Sequence, residues 1–215
     1  MRVRSALSTN VMTDVERRVW ELCTRLAPRL QFHGWHHVSF VRDKAVHFAE
    51  RNGSAVDVVH VAALVHDVNY VVRRNSSAAE GSGLRREILT EAGVDLDTVE
   101  WIDRVVDEAE MRTRHRDITL EAQALSDADT LFKALPVTPV VLAHKYLLEN
   151  GITLQELAHK IVGEQQGKQD EGYYFYDPEA AATYTRWATA NLELWQCIVE
   201  SLDDPCVTDL LAAVS

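Results

Sequence analysis

The run "VVHVAALVHDVNYVV", residues 58–72, constrains this chain more than any other stretch. Its apolar density is that of a helix buried on every side, yet His66 and Asp67 stand next to each other within it. A carboxylate in such a place costs on the order of several kcal/mol unless it is paired or bound to a metal. Any fold for this sequence must therefore bring a partner to Asp67.

The segments around the run are helical in period. Thr13 with Glu16 three residues on gives a capping-box signature, and "VERRVWELCTRLAPRL" follows with apolar residues at helical spacing until Pro28. "WHHVSFVRDKAVHFAERNG" keeps the same period and stops at Asn52 and Gly53. "SGLRREILTEAG", "LDTVEWIDRVVDEAEMR", "TLEAQALSDADTLFKAL", "PVVLAHKYLLENG" and "TLQELAHKIVGEQQ" all read as helices, and Asp177 with Pro178 opens a long one to about Leu202. No strand alternation competes. With 215 residues and 47% hydrophobic content, the expectation is one all-α domain, a single-domain helical bundle spanning residues 1–215. Residues 73–79, "RRNSSAA", and the stretch "GEQQGKQDEGYYFYD" read as the two functional loops.

Charge and composition narrow the partners. A net charge of −11, from 22 basic and 33 acidic residues, argues against a nucleic-acid polymer and leaves room for a small anion held by a local metal. "MRVRSALSTNVMTD" has no apolar signal core, and no uninterrupted apolar run approaches the roughly 18 residues of a membrane span. The chain thus reads as soluble and cytoplasmic, with no membrane partner. Cys23, Cys197 and Cys206 form no C-x-x-C and read as reduced packing residues.

Partners for His66 and Asp67 are available in two places. Upstream, "HGWHHV" offers His33, His36 and His37; downstream, "LSDADTL" offers Asp127 and Asp129 in a helix suited to the core. Imidazole nitrogens with carboxylate oxygens suit a divalent transition metal such as manganese, iron, cobalt, nickel or zinc, without choosing among them. The plain alternative is a buried, hydrogen-bonded His-Asp pair.

A histidine, then His-Asp within "AALVHDV", then an aspartate in "DAD" resembles the HD-domain superfamily of metal-dependent phosphohydrolases, over about His33 to Leu135. "HGWHHV" is similar to the family's H-x-x-x-H-[IV] opening, whose later histidine is a ligand. The resemblance implies one divalent transition metal held by His37, His66, Asp67 and Asp127, the first aspartate of "DAD", with His33 and His36 as alternatives to His37. It also implies an HD-type metal-site core at about 33–135, completed by C-terminal helices over 137–213. Those helices either close over the site or serve a homodimer interface.

Two departures from the family matter. Many mononuclear HD nucleotidases carry a glutamate three residues after the doublet, where this chain has Tyr70. One group of small HD hydrolases has "HDxxY" followed by an acidic "E-x-S-[AG]" stretch; "HDVNY" and "AEGSG" resemble it and single out Glu80. Where binuclear members place extra histidines, "VVDEAEMR" offers Asp107, Glu108 and Glu110, and a mononuclear site is the simpler expectation.

The resemblance therefore implies hydrolysis of a small phosphorylated metabolite, a nucleotide or nucleotide-like compound, by metal-activated water. Glu80, with Asp129 second, is the candidate acid or base. Arg73, Arg74 and Lys168 on the two loops are candidate phosphate contacts. Lys133 is a weaker one, because six residues after Asp127 it points to another side of the helix. The "YYFY" cluster at 173–176 either stacks on a base or plugs the bundle. For Glu80 the plain reading is a solvated carboxylate in a helix's first turn. Two other functions compete: a di-iron oxygenase, suggested by the carboxylates near Glu110, and a non-catalytic metabolite-binding module, suggested by Tyr70.

Overall fold

Ser8 starts the first helix. Its hydroxyl accepts the Val11 N–H, so α1 (Thr9–Arg25) begins before the capping box read at Thr13. The computed structural model describes residues 7–214; the first residues of "MRVRSALSTNVMTD" and Ser215 lie outside them. α2 (Trp35–Asn52) ends where expected, at Gly53 in the left-handed region with φ 77°. α3 (Val56–Val65), α4 (Asn69–Val72), a 3-10 turn (Ala78–Gly81), α5 (Ser82–Glu91), α6 (Leu96–Ala109) and α7 (Leu120–Ala134) follow. The chain continues through α8 (Thr138–Val141), α9 (Ala143–Asn150), α10 (Leu154–Asp170), α11 (Pro178–Ser201) and α12 (Pro205–Val214). Every regular element among the described residues is helical, and together they form one helical bundle. None of these helices is long and apolar enough to cross a membrane.

α3 is the centre of the bundle. It packs against α1, α2, α6 and α7, and Val58, Val59 and every residue from Val61 to Val65 are fully buried. Each such valine or leucine contributes about 1.5–3 kcal/mol by leaving water, which explains a helix apolar all round. α2 lies along both α3 and α7, α11 covers α7, and α10 packs on α11.

Three sequence expectations are corrected. The 58–72 run is not one helix: α3 ends at Val65, and Val68 and Tyr70 bond back only three residues, to Val65 and Asp67. The 139–151 segment divides at Leu142 into α8 and α9. "GKQD", read only as loop, continues α10 to Asp170, so "GEQQGKQD" is the last half of that helix. Its two glycines cost about 1 kcal/mol each in a helix. Side-chain bonds to α11 oppose that cost: Gln196 donates to Gln166 at 2.6 Å and Gln169 to Thr189 at 3.3 Å.

Candidate metal centre

The turn after α3 is what makes the His66 and Asp67 side chains neighbours in space as well as in sequence. On a continuing helix the two side chains would diverge by about 100°. In the tight turn, Asp67 Oδ2 lies 3.1 Å from His66 Nε2 and 2.8 Å from His37 Nε2, which comes from the first turns of α2. The two imidazole Nε2 atoms are themselves 3.1 Å apart. Asp129 on α7 supplies the fourth group, its Oδ1 3.6 Å from His37 Nε2.

Whether a cation fits is decided by the lone pairs. His66 donates its Nδ1–H to the Ala63 carbonyl at 2.7 Å, which turns Nε2 toward the other donors. Asp129 Oδ1 is buried without a hydrogen-bond partner. His37 is fully buried and its basicity is pushed down to about 4 by that burial, with Asp67 opposing, so its ring is neutral. Burial also pulls His66 down, but Asp67 outweighs it and the net shift is upward. The Asp67 carboxyl stays well below the usual range because His66 and His33 overcome the cost of its burial. Donors at right angles around one ion, each about 2.1 Å from it, stand about 3.0 Å apart, close to the spacings observed here. The residues fit a divalent transition metal.

The structure brings Asp129, not Asp127, to the histidines. Asp127 and Asp129 project about 200° apart on α7, so only one can face the histidines. Asp127 faces the other way, where its two oxygens accept the N–H groups of Tyr176 at 2.8 Å and Asp177 at 2.7 Å. Asp127 ties the start of α11 to α7; Asp129, expected as an acid or base, is the aspartate of "DAD" that stands beside His37. Of the "HGWHHV" histidines, His37 enters the cluster, His36 is exposed and His33 lies beside it.

The cluster opens into a cavity between α7, α9, α10 and α11, lined by Phe32, Tyr70, Tyr146 and Trp195 among others. Lys133 is in its wall, donating to Asp129 Oδ2 at 2.6 Å, with its basicity raised by Asp129 against the cost of burial. Lys133 does lie on a different side of α7 from Asp127, as its spacing predicts, but that side is the cavity's, because it is one turn, four residues, from Asp129.

Of the remaining predicted residues, Glu110 lies in the cavity wall and the others stand outside it. Glu80 is exposed, caps the 3-10 turn with Ser77 and pairs with Arg73 at 2.7 Å, so neither lines the cavity. Arg74 is exposed beside Gly151. Lys168 donates to the Arg114 carbonyl at 3.0 Å and to the Tyr173 hydroxyl. Tyr173, Tyr174 and Phe175 are buried outside the cavity, in keeping with a plug. Asp107 pairs with Arg85, Glu108 accepts from Thr119, and Glu110 accepts from Arg112 and Ala78. Sequence reasoning missed Tyr146, Arg112, Lys160 and Glu164 in the cavity wall and Glu149 behind His33. No motif marks them; only the surplus of charged residues in α9 and α10 could have drawn notice.

No known family profile matches the chain. An uncharacterised protein of Bacillus subtilis (strain 168), YpgQ, is 28% identical over 103 residues, 46% of this chain and 50% of that protein, so the match spans half the length of that curated relative. A crystal structure of a Lactobacillus plantarum protein, a structural-genomics target, superposes with a TM-score of 0.68 at 19% identity, over 92% of this chain and 99% of the other. That likeness establishes the shared helical fold.

Proposed function

We propose that the chain is an HD-type metal-dependent phosphohydrolase acting on a small phosphorylated metabolite. One observation carries the reading: His37 Nε2, His66 Nε2, Asp67 Oδ2 and Asp129 Oδ1 converge beside a cavity whose wall holds the Lys133 ammonium. These four residues would hold one divalent transition metal, which, when bound, neutralises phosphoryl charge and acidifies water. Lys133 then has two tasks. It balances Asp129, and it offers its other N–H donors to a phosphoryl oxygen entering the cavity. Leu157 and Ile161 from α10 limit water there, while the Tyr146 and Trp195 rings suit a planar group, which favours a nucleotide or nucleotide-like substrate.

The test is elemental analysis of the purified protein beside His66→Ala, after reconstitution with manganese, iron, cobalt, nickel or zinc, followed by a panel of phosphate esters and anhydrides. We expect about one equivalent per chain in the wild type, its loss in the variant, and metal-dependent phosphate release. Equal metal in both proteins, or bound metal without hydrolysis of any compound, overturns the reading.

A further inference from the structure

His33 is a second histidine in the cavity wall, outside the four-donor cluster and nearly inaccessible at 4%. Its Nδ1 bonds Glu149 Oε1, and Glu149, 2% exposed, also accepts the backbone N–H groups of Phe32 at 2.6 Å and His33 at 3.1 Å through Oε2. Three donors on one buried carboxyl keep it ionised: they overcome the cost of burial and lower its pKa. An ionised Glu149 can only accept, so the Nδ1 of His33 is the donor in this bond. Nε2 sits on the ring edge away from Glu149 and makes no hydrogen bond among the described residues, and the ring lines the cavity.

The ring is held in that attitude from its face as well. Tyr70 stacks on it with centroids 3.5 Å apart and planes 13° apart, and Phe32 and His37 meet it edge-on at 4.8 and 5.6 Å. Tyr70 occupies the place where a glutamate would supply an acid. Here that place supports an imidazole instead.

A purely structural purpose leaves the ring unexplained. Glu149 already ties α9 to the start of α2 through two backbone N–H groups, and replacing a buried ion pair by apolar packing is often neutral or stabilising. The surplus feature is an imidazole in the wall of the same cavity as His66, Asp67 and Lys133.

We infer that His33 is a catalytic residue of the hydrolysis, accepting the attacking water's hydrogen bond at Nε2, and that Glu149 is its positioning residue. The inference rests on the phosphohydrolase reading above. As the water oxygen bonds phosphorus, its proton passes to Nε2. The bond from phosphorus to the leaving oxygen breaks with its electron pair on that oxygen, which takes the proton back. Water and ester become alcohol and phosphate, with no other reactant.

The experiment compares wild type, His33→Ala, His33→Gln and Glu149→Gln, each reconstituted with metal and checked for fold by circular dichroism. Metal content, turnover with and without added imidazole, and the ring ¹H–¹⁵N spectrum are read for each. We expect full metal content in both His33 variants and a turnover loss of roughly 10²–10⁴-fold. Imidazole should partly restore His33→Ala, because the deleted ring faces a cavity. The wild-type spectrum should show His33 protonated at Nδ1, a signature altered in Glu149→Gln. A His33 protonated only at Nε2, turnover within a few-fold of wild type, or loss of metal with the ring overturns the inference. Wild-type turnover with undiminished His33 variants sinks this role alone; a metal-loaded wild type inert on every phosphate compound sinks the phosphohydrolase reading with it.

Discussion

Replacing Asp127 by alanine separates the two aspartates of "DAD" more sharply than any other change. The side chain is 1% exposed and its two oxygens receive the Tyr176 and Asp177 N–H groups at 2.8 and 2.7 Å, at the entry to α11. Alanine removes both acceptors and leaves two part-buried donors to water that reaches them poorly. At about 1–3 kcal/mol for each orphaned donor, discounted for partial access, the loss is about 2–4 kcal/mol. For a chain of this size, each kcal/mol moves the midpoint by about 2–4 °C, so melting should fall by roughly 5–15 °C. Metal content should stay at the wild-type value, since Asp129 and not Asp127 faces His37. The assay is differential scanning fluorimetry with elemental analysis on the same samples. A variant that melts like the wild type but has lost its metal would refute this reasoning and restore Asp127 as the ligand.

Two further changes probe the wall and the scaffold. Lys133→Met should keep the metal and lower kcat/KM on a phosphate ester by roughly 10²-fold, the cost of removing one fixed donor at the reacting group; unchanged kinetics would remove Lys133 from the mechanism. Asp103 bonds Ser82, the fully buried Arg85 and Arg86, and these partners outweigh its burial and hold its pKa below the ordinary 3.8. A lowered folded-state pKa gives stability that is present above 3.8 and lost as pH falls through the folded value. Asp103→Asn should therefore cost about 1–3 kcal/mol at neutral pH, with the gap to wild type closing on acidification below 3.8 in urea titrations; a pH-independent gap would contradict this.

The positions of most helices were legible in the sequence, because a buried face repeats every three to four residues and Asn52-Gly53 or Asp177-Pro178 punctuates it. The importance of His66 and Asp67 was legible for the same reason: an apolar run exposes any polar pair that interrupts it. The end of α10, "GKQD", was misread because glycine and glutamine are weak local evidence for a helix, and the bonds that support this half of α10 come from α11, 20 to 30 residues away.

The choice between Asp127 and Asp129 belonged to the tertiary structure. α7 is covered by α2 on one side and α11 on another, and residues all around it are buried, so hydrophobic period could not say which face meets the histidines. The Lys133 spacing held a clue, since it shares a face with Asp129 and not with Asp127. Glu149 had no such clue. It reaches His33 from 116 residues away, a pairing that no local pattern encodes. From its sequence alone this protein is a helical bundle with an acid and a histidine that need a partner. Which groups become that partner was decided only when the chain closed, because ligand geometry depends on side-chain directions across separate helices, while the sequence records only the period of each one.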